Sequence, residues 1–192
     1  MASIVISGDT SGTITVAAPA VAGSNTITLP AATGTTELIG VGTAVASTSG
    51  TSIDFTGIPS WAKRITVMFS GVSLSATAQI LVQLGTGASP TYTTSGYLST
   101  STGISGTPTT SNVTSGFNVR TDGAAQLVSG LMTITNITGN SWVSSHSAKQ
   151  STTTTIAGGG DVSLSGVLTA VRITSTSTDT FDAGTINVMW EG

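Results

Sequence analysis

The feature that most constrains this chain is an alternation of hydroxyl and apolar residues with a period of two. In Gly12-Thr13-Ile14-Thr15-Val16, Ile14 and Val16 share one parity and Thr13 and Thr15 the other. A pleated strand sends those two sets to opposite faces. The string returns as Thr26-Ile27-Thr28-Leu29, and a proline (Pro19, Pro30) follows each copy and ends ladder pairing. Runs rich in β-branched and aromatic residues predict further strands over 65–69, 80–84, 127–137, 162–173 and 186–190. Within 162–173, Val162 and Leu164 have one parity and Val167, Val171 and Ile173 the other. A bulge or sharp bend is therefore expected at Gly166. No window has helical periodicity, and residues 59–63 predict at most a single turn.

Charged residues make up 7% of the chain, against about 25% in average globular proteins. Apolar residues still reach 38% and fall in alternating strings, so folding is expected, with hydroxyls in place of charges on the outer faces. There are no cysteines, which excludes disulfides and thiolate metal sites. Five basic residues and a net charge of −3 give no electrostatic footprint for nucleic acid. No apolar run approaches the ~20 residues of a spanning helix, so membrane insertion is not expected. The N-terminus, MASIVISGDTSG, lacks a basic region and a long apolar stretch, so a cleaved leader is not expected. Work outside a cell would then mean release by lysis or carriage on a particle.

The stretch from Leu38 to Thr51 is small and flexible in composition and reads as a linker. It divides an attachment and oligomerisation arm (1–50, linker included) from a C-terminal β domain (51–192). Long Ser/Thr/Gly-rich loops are expected over 85–111 and over 144–161, the second containing Gly158-Gly159-Gly160. The expected fold is all-β: an extended β arm followed by a jelly-roll-like antiparallel β-sandwich. The backbone entropy of ordering the arm exceeds what its apolar side chains return on burial. Sister chains or a docking structure are therefore expected to order it, with a homotrimer the expected assembly.

Several constellations invite chemistry. His146 is the single histidine, and a Ser–His–Asp triad would have to recruit Asp161 or Asp122. No nucleophile-elbow signature accompanies it, so a polar loop histidine is the better reading. One histidine without cysteine cannot supply the usual zinc sets. Asp179 and Asp182 could hold calcium with nearby carbonyls, but their spacing does not match an EF-hand and aspartate favours turns in any case. Eight carboxylates could hide a glycosidase pair, yet nothing marks two acids in a shared environment. Gly158-Gly159-Gly160-Asp161 is not a phosphate loop, since no Lys-Ser/Thr follows. No catalytic residue, cofactor or metal is expected. Sugar sites combine an exposed ring with hydroxyl and amide partners, which makes Tyr92, Tyr97, Trp142 and His146 candidate receptor or glycan contacts. The competing reading puts Trp142 in the core, because it precedes Val143 in a strand-like run. Trp61 and Trp190, beside strand-like segments, are expected in the core or at subunit contacts.

The stretch SGTITVAAPAVAGSNTITLPAATGT at 11–35 resembles an N-terminal module of phage tail-fibre and virion proteins. DFTGIPSWAKRITVMFSGVSLS at 54–75, ILVQLG at 80–85 and the ending FDAGTINVMWEG resemble a second phage-associated β domain. Together they cover about half of the chain. The resemblance implies a virion structural protein at the particle surface, a short tail fibre whose arm attaches to baseplate, tail or capsid proteins and whose β domain projects toward the host. A capsid decoration protein or head fibre is the alternative. A polysaccharide-degrading spike and a free carbohydrate-binding module rank below it.

Overall fold

The structure, a computed structural model, describes residues 3–7, 13–17 and 38–192 apart from 120, 122 and 125. It is all-β, and the described residues contain no helix. The chain divides into two compact units, Met1–Thr36 and Glu37–Gly192. In the first, β1 (Ser3–Ser7) and β2 (Thr13–Ala17) form an antiparallel hairpin whose register sets Ile4 opposite Val16 and Ile6 opposite Ile14. The Thr13-to-Val16 alternation thus lies in a strand, as its parity predicts. Its repeat at 26–29 lies outside the described residues.

The second unit is an antiparallel sandwich. Its strands are β3 (Ile39–Val41), β4 (Val45–Ala46), β5 (Ser52–Thr56), β6 (Arg64–Leu74), β7 (Ile80–Thr86), β8 (Thr91–Tyr92), β9 (Leu98–Ile104) and β10 (Thr109–Val113). They continue with β11 (Phe117–Val119), β12 (Val128–Thr138), β13 (Ser141–Lys149), β14 (Thr155–Ser163), β15 (Leu168–Ser175) and β16 (Phe181–Glu191). The large sheet runs β10-β9-β14-β13-β12-β6-β16-β3, with β4 also on β16. The small sheet runs β11-β7-β15-β5, with β8 on β7. The expected antiparallel sandwich is therefore present.

Pleat parity builds the core. Ile65, Val67 and Phe69 of β6, Met132 and Ile134 of β12, and Ile186 and Val188 of β16 face inward from the large sheet. Against them the small sheet sets Ile80, Val82 and Leu84 of β7, Val171 and Ile173 of β15, and Ile53 and Phe55 of β5. Full burial of each such side chain contributes about 1.5–3 kcal/mol. The opposite parity of the large sheet forms an outer row of register partners: Asn112, Thr100, Gly159, Ser145, Thr133, Thr66, Met189 and Val41. Half of that row is hydroxyl residues (Thr100, Ser145, Thr133 and Thr66), and none of it is charged.

Three sequence expectations change here. Residues 38–50 are not a linker: β3 pairs along Met189–Glu191, β4 pairs with Thr185 and Ile186, and the buried Ser47 hydroxyl donates to the Ala183 carbonyl at 2.8 Å. The folded unit begins at Glu37 rather than at residue 51. Small residues here serve close packing, because the Trp190 indole lies over Gly40 where a β-carbon would overlap it. The expected loops at 85–111 and 144–161 are largely strands, β8 to β10 in the first case and the β13–β14 hairpin in the second. Gly158-Gly159-Gly160 lies inside β14, and its missing side chains let the strand press against β9. Finally, 162–173 is two strands, and the parity switch at Gly166 marks a bend where the chain crosses from the large sheet to the small one. The turn expected at 59–63 forms, with the Ala62 N–H donating to the Pro59 carbonyl at 3.0 Å.

Gly40→Ala should lower stability by about 1–3 kcal/mol, because the new methyl must displace Trp190 from β3. Urea unfolding followed by tryptophan fluorescence measures this. An unchanged midpoint would return residues 39–46 to the status of a linker.

Candidate functional site

The four sequence candidates separate cleanly. Tyr97 is not a surface contact: it is fully buried, edge-on to Phe117 with ring centroids 5.0 Å apart. Its hydroxyl accepts the Leu84 N–H at 2.8 Å. Burial pushes the phenol up to about 12. Its loop position in the sequence is misleading, because it plugs the junction between β7 and β11. Trp142 is also buried, as the competing core reading expects, and so is unavailable to a receptor. On β13 residues 142, 144, 146 and 148 all take the inward parity.

His146 is likewise not a loop residue. It sits on the inner face of β13 between Met132 and Gly158, with 6% of its surface exposed. Its Nε2 lies 2.9 Å from the Ser101 hydroxyl of β9, and Nδ1 has no hydrogen-bond partner. A β-carbon at Gly158 would come within 2.6 Å of the imidazole Cε1, so glycine there is what makes room for the ring. Burial holds the imidazole down at about 4, so at neutral pH it is uncharged. A serine thus touches a histidine, the first element of a triad. Asp161, however, has the outward parity of β14, facing away from His146, and Asp122 lies outside the described residues. The Ser101–His146 pair belongs to a buried polar strip, with Ser99, Ser144 and Asn118 also buried nearby on β9, β13 and β11. The Ser99 hydroxyl accepts the Asn118 N–H at 2.8 Å and so ties the edges of the two sheets together.

The two aspartates considered for calcium are each engaged in the fold. Asp179 accepts the Ala78 N–H at 2.9 Å, and Asp182 accepts the Ser73 hydroxyl. Among the described residues no three acidic or histidine side chains gather into a metal-binding group.

Tyr92 alone of the four reaches the surface, on the outer face of the small sheet. Its ring lies over Gly85, where a β-carbon would stand 2.9 Å from it, with Ala170 alongside. The Arg172 guanidinium stacks on the ring at 4.0 Å from the centroid. Arg172 also makes a fork to Asp54, Nε to Oδ1 and Nη2 to Oδ2, each at 2.7 Å. That hydrogen bonding holds the guanidinium charged. Burial first and Asp54 second push the Tyr92 phenol up to about 12, so it stays protonated, with the Asp54 carboxylate beside it. The result is a flat, rigid platform of an aromatic ring, a half-exposed cation and an acceptor. Sequence reading found Tyr92 but missed Asp54 and Arg172. They lie 118 residues apart, and only the β5–β15 register aligns them.

A second surface feature was not foreseen. Leu98, Ser99 and Thr100 of β9, with Asn112, Val113 and the adjoining Thr114, line an open groove of about 380 Å³. Its lining holds no charge, and Leu98 is 67% exposed. Hydroxyls at both parities of 98–104 conceal this strand from any alternation test.

No family model, curated protein or solved structure matches the chain.

The lowered His146 pKa predicts acid lability. An unfolded histidine binds its proton near 6.5 and the folded one near 4, so stability is full above pH 6.5, declines as pH falls through that window and levels off below 4. The gap corresponds to about 3 kcal/mol. His146→Gln should remove this component from the pH dependence of urea midpoints. Parallel profiles for the two proteins would show that His146 does not carry it.

Proposed function

We propose that this protein is a bacteriophage virion structural protein, a short tail-fibre subunit assembling as a homotrimer at the particle surface. The unit Met1–Thr36 attaches it to other virion proteins, and the sandwich contacts the host surface. The observation that carries this reading is the division of the chain into a small hairpin-bearing unit and a separate, hydroxyl-faced sandwich. Such a build suits a static projecting part, and the phage-like stretches at 11–35 and 54–85 fall one in each unit.

With Tyr97, Trp142 and His146 buried, Tyr92 remains at the surface, where Arg172 and Asp54 join it in one platform. A half-exposed ring edge beside a guanidinium and a carboxylate suits a hydroxyl-rich host glycan, which offers donors, acceptors and an apolar ring face. Weak sites repeated over subunits and fibres gain strength through effective concentration, so no single deep pocket is required.

Two experiments test the reading. Immunolabelling of intact particles should place the chain at the tail end; label spread over the head would make it a decoration protein or head fibre instead. Particles carrying Tyr92→Ala or Arg172→Ala should assemble normally and adsorb to host cells about tenfold less well, the effect of losing roughly 1.4 kcal/mol at each site. Undiminished adsorption by intact variant particles would remove the platform from the contact.

A further inference from the structure

The charges of the Tyr92–Arg172–Asp54 platform balance each other, and that balance limits what can bind there. Asp54 and Arg172 are direct register partners on β5 and β15, and their side chains are 34% and 33% exposed. Both contacts of the fork measure 2.7 Å, so the opposite charges cancel within one ion pair. Tyr92 adds no charge, because its phenol stays protonated. The outward positions around the pair are uncharged as well. Ser52 and Thr56 flank Asp54 on β5 and are exposed. Ala170 and Thr174 flank Arg172 on β15, and Gln83 and Gly85 are the next register partners on β7. The platform is therefore polar but carries no net charge.

That charge state weighs against an acidic ligand. A carboxylate or phosphate drawn to the guanidinium arrives beside the Asp54 carboxylate, which repels it. The Nε–Nη2 edge of Arg172, a bidentate receptor for carboxylate, is already engaged by Asp54. The net charge of −3 on the whole chain adds a weak repulsion of polyanions. A neutral sugar meets the opposite conditions, because a hydroxyl both donates and accepts. One hydroxyl can donate to a free lone pair of Asp54 while its neighbour accepts from the Arg172 Nη1 amino group, which Asp54 leaves unengaged. Both bonds are charge-assisted from the protein side, and no ion is stripped of water on the ligand side. The Tyr92 ring, held by Arg172 at 4.0 Å from its centroid, gives the C–H groups of the sugar an apolar edge.

We infer that the platform takes an uncharged sugar with two adjacent hydroxyls, a neutral hexose of a surface polysaccharide, and rejects uronic acids and other anionic glycans. The inference rests on the glycan reading of the platform and names its sugar class. Asp54 determines the specificity. It is the acceptor for one hydroxyl, and it cancels the charge that would otherwise attract anions. Because the platform and its ligand are both neutral, binding is insensitive to salt.

An array of immobilised sugars, each neutral hexose printed beside its own uronic acid, tests this with the full-length protein. The wild-type chain should bind at least one hexose, and the matching uronic acid about fivefold or more weakly, the cost of one like-charge contact in water. Raising sodium chloride from about 0.05 M to about 0.5 M should leave the hexose signal unchanged. Asp54→Asn keeps the side-chain shape and an acceptor but leaves Arg172 without its counter-charge. It should weaken hexose binding and make the uronic acid the preferred, salt-sensitive ligand, whereas a purely structural role would lower both signals together. The wild-type order and its salt response test the inference even if this variant fails to fold. A wild-type preference for uronic acids, or a folded D54N variant that keeps the wild-type order, overturns the inference and leaves the glycan reading standing. Hexose binding that survives both Tyr92→Ala and Arg172→Ala moves the site elsewhere and overturns both. Absence of binding to every sugar sinks the glycan reading itself, and the inference with it.

Discussion

The pleat of a β-strand forces neighbouring residues onto opposite faces, and every other feature of the sandwich depends on that separation. One parity of β6, β12 and β16 supplies the core, and the other carries a mixture of hydroxyl, amide, apolar and a few charged residues. Threonine suits both demands of the outer face, since its branched carbon favours extended backbone and its hydroxyl hydrates. A protein with so few charges can thus keep a wet surface. The consequence is a sheet face without strong electrostatic character, along which recognition must rest on shape, hydroxyls and isolated apolar residues.

The interior departs from this rule along one strip. Ser99, Ser101, Ser144 and His146 take inward parity on β9 and β13, where apolar side chains would be expected. Gly158 and Gly160 lie between them on β14 and let neighbouring backbones close up. The sheets meet closely here, with the Ser99 hydroxyl accepting the Asn118 N–H across the gap, so bulky residues would not fit. Small hydroxyls save volume at the expense of desolvation, and the unpartnered His146 Nδ1 and Ser144 Oγ show how tight that balance is. In this strip a serine and a histidine come together for reasons of packing.

The two outward features divide between the two sheets. The Tyr92–Arg172–Asp54 platform lies on the small sheet, whereas the exposed β3 residues and the Leu98 groove lie at opposite edges of the large one.

Alternation alone was enough to read the all-β class, the positions of β6, β7, β12 and β16, and the break at Gly166, because parity is a local property of the backbone. The hydroxylated outer faces also followed from composition. Alternation could not reveal strands that are very short or small at both parities, so the three-residue β3, the hydroxyl-rich β9 and the glycine-bearing β14 read as linker and loops until their partners were known. Nor could sequence tell Tyr92 from Tyr97, five positions apart in the same polar stretch. One lies on the outside of β7 beneath Arg172, and the other is sealed within the core against Phe117. Which residue is covered depends on what a distant strand brings over it, and that information exists only in the tertiary structure.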